Sequence, residues 1–99
     1  MKALEGLDAA FEHRARLAIA VLLARHGEIS FARFKQDLAL TDGNLGAQLR
    51  RLEEDDYVVL RRDFVARRPV TWYTLSSAGR KALDRHLDAL RAVIATSEA

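Results

Sequence analysis

Between Phe31 and Leu75 the apolar residues change period, from the three-and-four spacing of a helix to the alternation of a strand. That switch limits the fold more than any other feature of the chain. Phe34 and Leu38 mark a short helix, capped by Ser30 and running from Phe31 to about Ala39. Leu40 falls at a turn. Thr41 caps the next helix, which extends to about Asp55, and Asp42 in its first turn complements the helix dipole. Leu45, Leu49 and Leu52 form its buried stripe. Asn44, Gln48 and Arg51 share another face, flanked by Gly43 and Ala47. β-Branched and aromatic residues then define two strands, Tyr57 to Leu60 and Val70 to Leu75. In the second, alternation puts Val70, Trp72 and Thr74 on one face and Thr71, Tyr73 and Leu75 on the other. The segment from Arg61 to Pro69 reads as the tip of the hairpin, where a proline removes no needed donor.

Amphipathic helices flank this unit. Leu7, Phe11, Ala15, Ala18 and Leu22, widened by Ile19 and Leu23, predict a first helix from about Leu7 to Arg25, with Asp8 as its N-cap and Gly27 as its stop. Glu28-Ile29-Ser30 is expected as a small edge strand. Ser76 or Ser77 caps a last helix over about 77–95, with Leu83, Leu87, Leu90 and Ile94 along one side. The expected fold is mainly α with a small β-hairpin (α+β), a single domain over residues 1–99 with long terminal helices. Those helices offer more apolar surface than so small a core needs. Leu7, Phe11, Leu83, Leu87, Leu90 and Ile94 are therefore the candidates for a homodimer interface.

The 99 residues carry 16 basic and 14 acidic side chains, a net charge of only +2. The distribution says more than the sum. Residues 57–81 hold Arg61, Arg62, Arg67, Arg68, Arg80 and Lys81 against the single acid Asp63. A planar guanidinium donates two hydrogen bonds to a phosphate at once, so arginines clustered on a hairpin point to a polyanion. Edge protection against aggregation accounts for one or two such residues, not four. A helix that opens on a capped turn, followed by a basic hairpin, has the form of a winged helix-turn-helix that meets double-stranded DNA. On that reading Thr41, Gly43, Asn44, Ala47, Gln48 and Arg51 lie along the recognition helix in the major groove. Arg61, Arg62, Arg67 and Arg68 hold the backbone and minor groove. Gly43 and Gly46, which weaken a helix by up to ~1 kcal/mol each, suit a close approach of a partner to the backbone. Phe64 and Val65 near the tip are unusual if exposed.

Other functions find little support. With no cysteine there are no disulfides and no thiolate metal sites. His13, His26 and His86 lack metal-ligand spacing and read as surface or partly buried residues. Glu53 to Asp56 are consecutive carboxylates, which suit a solvated helix end better than a cation loop. Neither a phosphate loop nor a nucleophile with its base is present, so no enzyme and no cofactor is expected. The apolar run Leu17 to Ala24 falls far short of the roughly 20 residues that span a bilayer, and no signal-peptide pattern opens the chain, so a cytoplasmic protein without membrane contact is expected. Two alternatives remain. One is a protein-interaction module without specific DNA binding. The other is control by an unidentified small-molecule effector, in a pocket drawn from Trp72, Tyr73 and Phe11, although these fit equally well as core.

The runs LDAAFEH at 7–13, TDGNL at 41–45, LRRLE at 49–53, Tyr57-Val58 and RRPVTWYTL at 67–75 resemble small bacterial and archaeal winged-helix transcriptional regulators related to the MarR and ArsR families. The resemblance spans nearly the whole chain. It implies a homodimeric DNA-binding regulator joined through its terminal helices, with Thr41, Asn44 and Gln48 at the DNA-facing start of the recognition helix and Arg67 and Arg68 on the wing. The chain departs from the family pattern at Gly46, where serine is common, and at Gln48, where histidine is common. It departs again at Asp56 and Ala66, where glycine is usual. It also lacks the thiolates of metal-sensing relatives.

Overall fold

A computed structural model describes residues 2–97. Two short 3₁₀ turns, Lys2–Gly6 and Ala9–Phe11, precede helix α1 (Arg14–His26). Strand β1 (Glu28–Ser30) leads into α2 (Phe31–Leu38) and α3 (Asp42–Glu54). Strands β2 (Val58–Val65) and β3 (Arg68–Leu75) follow, and α4 (Ser77–Ser97) ends the described chain. The sheet is antiparallel in the order β1-β3-β2. Ile29 stands opposite Tyr73 and Leu60 does too, so one sheet face turns Ile29, Val58 and Tyr73 into the core. There they meet Ile19 and Leu23 of α1, Phe34 of α2, Leu45, Leu49 and Leu52 of α3, and Leu83 of α4.

The capping residues read from the sequence perform as expected in the middle of the chain. Ser30 Oγ accepts from the Arg33 amide at 3.1 Å and Thr41 Oγ1 from the Asn44 amide at 3.2 Å. Ser76 Oγ accepts from the Gly79 amide at 2.9 Å and so caps α4. Asp56, φ 60°, supplies the left-handed residue that ends α3.

The N-terminal segment corrects the expectation. No continuous helix runs from Leu7. Asp8 caps the second 3₁₀ turn, and His13 caps α1 through a 3.2 Å bond from the Ala15 amide. Both caps have extended backbones, which breaks the helix that periodicity suggests. Tertiary contacts explain the break. Asp8 Oδ2 accepts from the Tyr57 hydroxyl at 2.6 Å, while the Asp8 amide donates to His86 Nδ1 at 2.9 Å. The Phe11 ring stacks on Tyr57 and meets the His86 ring edge-on, each with centroids 5.5 Å apart. His86 is therefore a core residue, 2% exposed, not a surface one.

The hairpin is also tighter than expected. Its strands reach Val65 and Arg68, and the tip is only Ala66 and Arg67, with φ 51° and 66°. Two successive left-handed residues make the type I′ turn whose twist matches the flanking strands. Pro69 lies inside β3, opposite Phe64. Val65 and Arg68 close the turn as a hydrogen-bonded pair, so the next pair needs no proline N–H.

Two outcomes follow. A methyl group at Gly79 would overlap the carbonyl oxygen of Tyr57, so Gly79→Ala is expected to destabilise the fold by about 2 kcal/mol or more, measured by urea denaturation. The Tyr57 hydroxyl is pushed up to about 12, first by its bond to Asp8 and then by burial. Its stabilising contribution is whole below the ordinary tyrosine value of 10 and falls as pH rises from there toward 12. Tyr57→Phe should flatten that alkaline decline in urea midpoints taken on either side of pH 10, leaving only the share of Tyr73, which burial also raises.

Candidate nucleic-acid interface

Helix α3 buries Leu45, Leu49 and Leu52, which fixes what its other faces meet. The positions opposite that stripe are Gly43, Ala47, Arg50 and Glu54, and all four are exposed. Asn44 is exposed beside them. Gln48 and Arg51, by contrast, are partly buried and turned toward α1. Gln48 Nε2 donates to Asn44 Oδ1 at 3.0 Å, and Gln48 Oε1 accepts from Arg16 Nη1 at 2.8 Å. Arg16 also donates from Nε to the Ala10 carbonyl at 2.6 Å. Burial lowers the Arg16 guanidinium, and neighbouring Arg51 lowers it further. Arg51 Nε is paired with Asp55 at 3.0 Å. Gln48 and Arg51 thus act first as ties within the protein. Arg50 takes the outward place that sequence reading gave to Arg51; its position opposite the leucine stripe was the available signal.

Both glycines of α3 lack an internal reason to be glycine. A methyl at Gly43 would meet nothing within 4 Å, and one at Gly46 would meet only the guanidinium of Arg50, at 3.4 Å. The room lies on the outside of the helix.

The hairpin sorts its arginines by face. Arg61, Asp63 and Val65 share the outer face with Trp72; Arg62 and Phe64 share the inner face with Leu60, Thr71 and Tyr73. Arg61 is occupied. It pairs with Glu28 at 3.0 Å and Asp63 at 3.1 Å, and its guanidinium lies 5.9 Å from the centre of the Trp72 ring. These carboxylates, Glu28 first, raise the Arg61 guanidinium above its ordinary value. Among the described residues, Arg50, Arg62, Arg67 and Arg68 form no ion pair. Arg62 from the hairpin and Arg50 from α3 both act on the buried Tyr73 hydroxyl, opposing the rise that burial and Glu53 cause. Helix α3 and strand β2 are in contact, so exposed, unpaired Arg50 and Arg62 sit on adjoining elements.

The proposed dimer residues separate as well. Phe11 and Leu83, each 1% exposed, are filled into the chain's own core and unavailable to a second chain. Leu7, Leu87 and Leu90 are half-buried, and Ile94 is 55% exposed. Leu4 and Val21 are exposed apolar residues that sequence reading missed. Phe11 and Tyr73 are core, so they line no effector pocket with Trp72; that side chain instead borders a separate cavity of about 530 Å³ beside α2. Among the described residues no group of three or more histidine, aspartate or glutamate side chains is placed to hold a metal ion, and no helix is long and apolar enough to cross a membrane.

This arrangement, two short helices leading to a basic two-strand wing, is that of winged-helix regulators. The chain belongs to the winged helix DNA-binding domain family, whose profile matches residues 15–94. Among solved structures it is similar to the transcriptional regulator homologue from Pyrococcus horikoshii OT3, at 29% identity and TM-score 0.90 over 100% of both chains. Its fold is also similar to the zinc-responsive MarR family member ZitR of Lactococcus lactis (19% identity, TM-score 0.62, 86% of this chain and 58% of that one). Bacillus subtilis PadR, solved in complex with operator DNA, shares the fold at 22% identity and TM-score 0.63, over 71% of this chain and 44% of that one. No curated protein sequence matches the chain.

Because nothing inside the protein contacts the Gly43 position, Gly43→Ala is expected to raise folding stability by up to ~1 kcal/mol, read from urea midpoints.

Proposed function

We propose that the chain is a homodimeric transcriptional regulator that binds a roughly palindromic double-stranded DNA site, with α3 in the major groove and the wing on the backbone and minor groove. The observation that carries this reading is the set of exposed arginines on two adjoining elements, Arg50 on α3 and Arg62, Arg67 and Arg68 on the wing, none of which forms an ion pair among the described residues. Asn44 reads a base edge, with Arg50 joining it on guanine or phosphate, and Gln48 fixes the orientation of Asn44. The open backbone at Gly43 and the small Ala47 let the groove floor come close. Dimerisation falls to exposed Leu4, Val21 and Ile94 with half-buried Leu7, Leu87 and Leu90, on the terminal segments and α1. A role on DNA places the protein in the cytoplasm and asks for neither cofactor nor catalytic group.

The test is fluorescence anisotropy on duplex from the protein's own upstream region, across a salt series and against random duplex. Binding steeply weakened by salt, with clear preference over random sequence, is expected. Arg67→Ala combined with Arg68→Ala should reduce the salt slope by roughly two per protomer and weaken all sequences alike. Gly43→Ala should weaken the preferred site while the fold gains stability. If the arginine pair leaves the slope unchanged, the wing does not contact phosphate and the reading fails.

A further inference from the structure

Phe64 is 73% exposed, more than any other large apolar side chain among the described residues. No residue of the hydrophobic core packs on this ring. Its seat is nonetheless firm, because Phe64 stands opposite Pro69, next to the two-residue turn that locks the register. The ring lies on the inner face of the wing, the face of Arg62 and of the side turned to α3. The acid Asp63 lies on the other face, neutralised by Arg61 at 3.1 Å. An exposed aromatic ring thus projects from a hairpin whose neighbouring free charges, Arg62, Arg67 and Arg68, are all positive. Charge complementarity selects a polyanion as its partner, and a flat apolar ring within a polyanion finds one apolar surface, the faces of bases.

We propose that Phe64 is a wedge: as Arg67 and Arg68 hold phosphates, its ring enters the minor groove, opens one base step and bends the duplex. The inference rests on the DNA-binding reading above and adds an architectural function to it. Apolar side chains driven between base pairs kink DNA toward the major groove, and pyrimidine–purine steps yield most readily. Pro69, which has no N–H to leave unpaired, widens the apolar surface behind the ring. Val65 is 50% exposed but lies on the opposite face, so it takes no part.

The experiment uses duplexes recovered by the full chain from a random-sequence pool, carrying 2-aminopurine at successive steps in the flanks and a donor–acceptor dye pair at the ends. With the native protein, one flank position should brighten as its step opens, and the ends should approach. Phe64→Ala, at an exposed position outside the core, should leave the unfolding midpoint nearly unchanged, bind roughly tenfold more weakly, and lose both the brightening and the bend. Phe64→Tyr should keep both signals. Equal bending and brightening with Phe64→Ala would overturn the wedge while leaving DNA binding intact. Failure of the pool to yield any bound duplex would overturn the DNA-binding reading, and the wedge with it.

Discussion

The architecture hangs on Tyr57. Its hydroxyl donates to Asp8, its ring stacks on Phe11, and its carbonyl accepts from the Ser76 amide at 3.0 Å and lies against Gly79. One residue between α3 and β2 therefore ties the N-terminal segment, the start of α4 and the base of the wing together. A 99-residue chain has little interior with which to fix its ends. Here a partly buried polar knot does so, with His86 accepting from the Asp8 backbone on the other side. The residue that leads into the wing thus also fastens both terminal segments. Anything that loosens Asp8 or Tyr57 is felt at both places.

The surface charges divide by role. Exposed ion pairs add little stability, so the contacts of Arg61 with Glu28 and Asp63 matter more for what they prevent. β2 is one edge of the sheet, and an edge carrying paired charges on its outer face resists pairing with another strand. The inner face of the same strand carries Arg62 without a carboxylate near enough to pair. The alternation of a strand thus gives adjacent arginines opposite duties. The same holds on α3, where Arg50 and Arg51 are neighbours in sequence, yet one faces outward and the other is held by Asp55.

Much of this was legible in the residues. The period switch, the caps at Ser30 and Thr41 and the face alternation of β3 all follow from local rules that the tertiary structure does not override. The differences have separate causes. Helical periodicity from Leu7 was real but lost to contacts with Tyr57 and His86, distant in sequence. Ala66 and Arg67 carry no glycine signal for a tight turn, and the two-residue tip is not legible from residue type. Within α3, residue type favoured Gln48 and Arg51, whereas direction depends on the angle from Leu45, Leu49 and Leu52. By that angle Arg50 lies opposite the leucine stripe, facing outward. The tie from Arg16 to Gln48 spans two helices and leaves no mark in local sequence.

Consider finally that Gly43, Ala47 and Arg50 perform no task inside the protein. None caps, fills the core or holds another helix, whereas their neighbours Leu45, Gln48 and Leu49 do. The exposed line of α3 is in this sense a blank label on a finished body. It can be rewritten without reopening the question of how the chain folds, while any change at the tied positions on either side must first be accommodated by α1 or by the core.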